Sequence, residues 1–241
     1  MKRTERHHLK ENAVQQLALQ ARDLLETRKR ETTAAAVAVL VVAVIAIGYF
    51  AWHERVQTRA RTLLAEALTV QVAKLDVPGT PPTPGGYPNE HARLLAVVTK
   101  FKAAADAYPS TDAGVFARYQ EGVNRLALGN AVEAAAAYRQ VIERSGNGIY
   151  GQMARLGLAE AQARAGQYDQ AINTYKEMAQ RKDGPLPIDG ILMQLGRTYR
   201  DAGKRADAQQ TFNRLVQEFP ESSFTADAKR ELDSLNKAPT T

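Results

Sequence analysis

The sequence predicts an all-α chain, in which a single N-terminal transmembrane helix leads into a solenoid of paired helices. Three observations predict it. Residues 34–52, AAAVAVLVVAVIAIGYFAW, carry no charge. Gly129, Gly166 and Gly203 recur 37 residues apart, each followed at fixed distances by a small residue and an aromatic. The stretches between these marks end in turn-forming clusters, among them Ser145-Gly146-Asn147-Gly148 and Asp183-Gly184-Pro185.

Residues 1–31 are expected to form a cytoplasmic amphipathic tail. Leu9, Ala13, Leu17, Ala21 and Leu24 fall on one helical stripe. Such a stripe rests on the membrane surface or a neighbour, or docks a cytoplasmic partner. Residues 32–52 follow as the transmembrane helix. With Thr32 and Thr33 the uncharged run reaches 21 residues, or roughly 30 Å of helix, the thickness of a hydrocarbon core. Arg28, Lys29 and Arg30 stand before it, and Tyr49, Phe50 and Trp52 cluster at its far end, where amphipathic rings favour the headgroup level. The triple basic block places the N-terminus in the cytoplasm and the rest of the chain across the inner membrane, periplasmic or extracytoplasmic. A cleaved signal sequence is the alternative, with Ala46-Ile47-Gly48 as a cleavage site. The long leading tail and the long apolar run argue for an uncleaved anchor.

Residues 53–76 are helical in pattern and continue from the anchor. Residues 77–89, VPGTPPTPGGYPN, contain five prolines and are expected to form an extended connecting loop. Residues 90–107 then complete a first helix pair. Three more pairs follow, at 112–128 with 131–144, 150–165 with 168–181, and 188–202 with 205–218. The glycines close the first helix of each pair, where a left-handed residue is needed. Ala134, Ala171 and Ala208 sit where the paired helices cross. Tyr138, Tyr175 and Phe212, one turn further on, fill the space toward the next pair. One period earlier the aromatic persists as Phe101, while Val97 replaces the small residue. Pro109 and Pro220 end second helices. Residues 221–236 read as a solubilising C-terminal capping helix, and residues 237–241 as a frayed tail.

These marks, with Gly122 and Gly196 in the first helices and Leu195 and Tyr199 in the last pair, resemble the tetratricopeptide repeat over residues 90–220. Arg118, Arg155 and Leu192 depart from it by standing where the motif has tryptophan, and Ala159 by replacing a glycine. The resemblance implies a tetratricopeptide-type helical repeat solenoid that binds protein partners or peptides.

Composition narrows the function further. The chain has no cysteine, which excludes a disulfide framework, a thiolate metal site, a cysteine nucleophile and a lipidated N-terminal cysteine. Of the net charge of +6, half lies in residues 1–31. The mixed signs of the remainder lack the basic stripe that nucleic-acid binding needs. His7, His8, His53 and His91 form no metal-ligand spacing, and neither a nucleophile elbow nor a phosphate loop is present. The chain is thus expected to be no enzyme and to need no cofactor.

In tetratricopeptide proteins the first helix of each pair lines a concave groove. The resemblance places Phe116, Tyr119, Val123 and Leu126, then Met153, Leu156, Glu160 and Ala163, then Gly190, Met193, Arg197 and Arg200 along it. The expected partner-binding residues are Phe116, Tyr119, Val123, Met153, Leu156, Glu160, Met193, Arg197 and Arg200, apolar at one end and basic at the other. Some of these positions, Leu126 and Leu156 foremost, are equally suited to the core between repeats. Tyr119 and Val123 do not match the Lys and Asn of a carboxylate clamp.

The layout of charged tail, single span and repeat domain resembles the ancillary subunit of the bacterial Sec translocon. That resemblance implies a scaffold in the cell envelope, with the translocon and periplasmic chaperones as partners. The closing FPESSFTADAKRELDSL is also similar to cell-division coordinators and outer-membrane assembly subunits.

Overall fold

The computed structural model describes residues 29–79, 81–181 and 184–237. The expected tail helix through Leu9 to Leu24, residues 182–183 in the predicted turn, and residues 238–241 lie outside them. Nine α-helices make up the described residues, with one isolated β-bridge, Leu75 to Tyr87. They are α1 (Lys29–Gln71), α2 (Glu90–Ala107), α3 (Asp112–Ala127), α4 (Ala131–Ser145), α5 (Ile149–Arg164), α6 (Tyr168–Gln180), α7 (Ile188–Asp201), α8 (Arg205–Glu218) and α9 (Thr225–Lys237).

The chain divides into two units between Arg55 and Val56. In the first, the leading part of α1 leaves Val37, Leu40, Val44, Ile47 and Phe50 exposed. Tyr49 stacks on His53 and meets Phe50 edge-on, each at a centroid distance of 5.9 Å. Among the described residues this is the one helix long and apolar enough to cross a membrane.

The second unit is the repeat stack. The end of α1 buries Ala67 among Val97, Phe101, Ala104 and Ala105 of α2, and Glu66 pairs with Lys100 at 3.1 Å. The helix closes at Gln71, short of the expected residue 76. Residues 72–76 are drawn instead into the base of the proline loop. Asp76 N–H donates to the Tyr87 carbonyl at 2.8 Å, Tyr87 N–H donates to the Lys74 carbonyl at 3.0 Å, and Thr83 N–H donates to Asp76 Oδ1 at 2.8 Å. Backbone groups committed to these partners cannot also continue a helix. The following helix starts on Asn89, whose Oδ1 accepts from Ala92 N–H at 2.8 Å.

Pairs α3/α4, α5/α6 and α7/α8 follow. Gly129, Gly166 and Gly203 turn each first helix into its second at φ of 83°, 75° and 73°, which only glycine adopts without strain. Ala134, Ala171 and Ala208 are fully buried at the crossings. Phe101, Tyr138, Tyr175 and Phe212 are buried in register, one per second helix. Gly122 and Gly157 flank the Tyr138 ring so closely that a Cβ at either would come within 3 Å of it. Where the motif has large apolar residues, α3 instead carries an ion network. Glu121, only 3% exposed, accepts from Arg118 at 2.5 Å and from Arg125 at 2.8 Å, and Arg118 also reaches Asp106 of α2. Hydrogen bonds from Lys102 and Arg118 hold the Asp106 carboxyl below its usual pKa.

The last helix begins at Thr225 rather than at residue 221. Ser222 Oγ accepts from Phe224 N–H at 3.1 Å and donates to Asp189 Oδ2 at 2.6 Å, shaping the turn before it. Lys237, expected in the tail, is still helical. Ala117, Ala154, Ile191 and Ala228 are buried at 37-residue intervals, so α9 stands in the register of a first helix.

Candidate partner-binding groove

The first helices touch one another in succession, α3 against α5 and α5 against α7. They form one layer, and side chains on its free side share a surface. Of the expected binding residues, the structure leaves Val123 exposed and Phe116, Tyr119, Met153, Leu156 and Glu160 half-buried. Phe116, Tyr119 and Leu156 are braced from below. Phe116 meets Tyr150 of α5 edge-on at 5.8 Å, and Tyr119 packs on Tyr138 at 5.8 Å. Leu156 rests on the core cluster of the last two pairs.

At the other end the expectation needs correction. Met193 is completely buried, in the cluster that also holds Ala228 and Leu235 of α9. It packs the core and offers nothing to a partner. Leu126 is likewise core. Arg197 and Arg200 are half-buried, but they do not make a free basic end. Arg200 donates to Glu231 at 2.5 Å, and Arg197 lies 3.5 Å from Glu231 and 3.7 Å from Asp227. Both carboxylates belong to α9, which occupies the place of the next first helix. Gly190 faces the Phe224 ring. The part of the surface open to a partner is therefore the stretch on α3 and α5.

Glu160 sits within that stretch. Its Oε1 accepts from Arg164 at 2.6 Å, and Arg164 also donates to the Leu126 carbonyl at 3.3 Å. The carboxylate lies close enough to Tyr119, Tyr138 and Tyr175 to act on all three. Burial, reinforced by its charge, pushes each phenol above its ordinary pKa. Among the described residues no cluster of His, Cys, Asp or Glu could hold a metal ion.

The tetratricopeptide repeat-like domain family matches residues 28–237. The chain belongs to that family. The match starts before the apolar segment and ends with α9, so this tetratricopeptide repeat-like domain includes both. Among solved structures, a kinesin light chain of Podosopora anserina with nearly identical TPR-like repeats shares the fold at a TM-score of 0.57 and 13% identity, covering 75% of this chain and 87% of that one. A tetratricopeptide repeat protein from Parabacteroides merdae does so at a TM-score of 0.53 and 14% identity, with 73% and 60% of the chains covered. No curated protein gives a significant match. At such identities these structures speak for the fold alone. Tetratricopeptide repeats are protein-interaction scaffolds, and the groove geometry here suits that use.

Sequence reasoning missed Arg164 as a participant in the groove. Arg164 was detectable as the i+4 partner of Glu160. Tyr138 and Tyr175 fill the space between pairs, as their spacing predicts, and are buried there. Asp227 and Glu231 were also missed. Carrying the 37-residue step once more beyond α7 would have found them.

Proposed function

We propose that this chain is a non-enzymatic, membrane-anchored scaffold whose groove on α3 and α5 binds segments of partner proteins. The observation that carries this is the row of Phe116, Tyr119, Val123, Met153 and Leu156. These apolar side chains remain accessible on adjoining first helices, while their counterparts between the helices are buried. Aromatic and methionine side chains on a rigid surface suit an extended or helical peptide. Membrane anchoring is supported by the apolar side chains of α1 from Val37 to Trp52, which stand exposed along the helix. Leaving such a row in water would forfeit roughly 25 cal/mol for each Å², whereas a bilayer accommodates it. Arg28, Lys29 and Arg30 ahead of the span support a cytoplasmic N-terminus and periplasmic repeats, and the resemblance in layout supports a place beside the Sec translocon and periplasmic chaperones.

A photo-crosslinking residue at Val123, in full-length protein in native membranes, tests the reading. The expected products contain the translocon channel or a periplasmic chaperone. A Phe116→Ala/Tyr119→Ala double variant should keep its helical content and lose those products, since a desolvated aromatic anchor contributes roughly 2 kcal/mol or more, a factor of about 30. Unchanged crosslinking would move the binding face off the groove. Products consisting of division or outer-membrane assembly proteins would reject the translocon as partner. Added protease should digest the repeats of sealed spheroplasts, and their protection would reverse the topology.

A further inference from the structure

We propose that the groove selects segments carrying a lysine or arginine beside apolar residues, with Glu160 as the group that recognises the cation. The inference rests on the groove being the binding face and adds the chemistry of what it accepts. In the open stretch, Phe116, Tyr119, Val123, Met153 and Leu156 are apolar or aromatic, and Glu160 is the carboxylate set among them. Its side chain is 41% exposed, so a ligand can reach it. The same chain shows that a carboxylate so held takes a second cation. Glu121, on the preceding first helix, accepts Arg118 on one oxygen and Arg125 on the other. Glu160 has the first half of that arrangement, with Arg164 on Oε1. Arg164 is itself tied to the Leu126 carbonyl and holds the carboxylate in place for a cation supplied by the partner.

The surroundings add to the preference. Tyr119, half-buried on the preceding first helix, offers an accessible aromatic ring in the same open stretch, and a ring face attracts an organic cation. Arg197 and Arg200, the basic residues expected to draw an acidic segment, are shared with the α9 carboxylates Asp227 and Glu231.

The test uses full-length protein in nanodiscs and labelled nine-residue peptides of serine, leucine and phenylalanine, with lysine, norleucine or glutamate at the centre. Fluorescence anisotropy should show the lysine peptide binding about tenfold more tightly than the norleucine peptide, the effect of one charge-assisted hydrogen bond. Glu160→Gln keeps an acceptor for Arg164 and should bring the two peptides within about twofold of each other. Glu160→Lys should favour the glutamate peptide. The Phe116→Ala/Tyr119→Ala variant should weaken all three peptides together, which separates loss of the groove from loss of its charge preference. Equal binding of lysine and norleucine peptides by the unaltered protein, or a preference for glutamate, would overturn the inference and leave the groove standing. Binding of none of the peptides would overturn both.

Discussion

At the scale of single residues, the stack is set by where a Cβ has no room. A Cβ at Gly196 would come within 3 Å of the Phe212 ring, and one at Gly157 equally close to Tyr138. Gly196→Ala and Gly157→Ala should each destabilise the protein by about 1–3 kcal/mol through overpacking, measured by urea unfolding. The buried phenols give a second expectation. Tyr138 and Tyr175 are held protonated beyond the ordinary tyrosine pKa of 10.0, chiefly by burial. Below that pH both folded and unfolded states keep the proton and stability is unaffected. As pH rises above it, the unfolded state releases the proton first, so stability falls. Tyr175→Phe should make the alkaline loss of stability shallower in melts between about pH 9 and 12. The Gly–Ala–aromatic phase was legible in the sequence because each mark answers a steric demand that repeats with the fold. The burial of Met193 was not. Its place in the repeat is a groove-lining one, but in the structure it joins the cluster that also holds Ala228 and Leu235 of α9.

At the scale of helices, α3 departs most from the motif. Arg118 was recognisable as a substitute for tryptophan, yet nothing in the sequence showed Glu121 buried between two arginines. That depends on which face of α3 meets Asp106 of α2, a question of packing rather than of period. Removing one member of a buried ion pair leaves an uncompensated charge. Glu121→Ala should therefore cost about 3–5 kcal/mol. Replacing the whole set by the apolar types that later repeats carry should behave oppositely. Arg118→Leu/Glu121→Leu/Arg125→Tyr, which copies Leu192, Leu195 and Tyr199 of the last pair, should be neutral or stabilising by up to about 4 kcal/mol. Thermal denaturation of the two variants side by side checks both signs. The shortened end of α1 has a similar origin. Helical patterning continues to residue 76, but the hydrogen bonds of residues 74–76 to Thr83 and Tyr87 arise from the loop that follows and leave no periodic trace.

At the scale of the molecule, the repeat unit is a line of neighbours, and its last member matters to all of them. The last helix, α9, buries Ala228 and Leu235 against the final pair and neutralises Arg197 and Arg200. Deleting residues 222–241 should uncover the apolar surface that Ala228 and Leu235 cover, lower the melting temperature, and broaden the transition as the C-terminal pair opens ahead of the rest. Hydrogen exchange on full-length and shortened protein would show the loss of protection starting in α7 and α8, and an evenly spread loss would contradict it. The register of α9 has another consequence. Since Ala228 falls one period after Ile191, α9 stands where the first helix of a further unit would stand. Such an array is open to growth. Splicing one further 37-residue module ahead of α9 would preserve every contact type at both junctions, so lineages could lengthen or shorten the groove by whole modules while the two ends stay as they are.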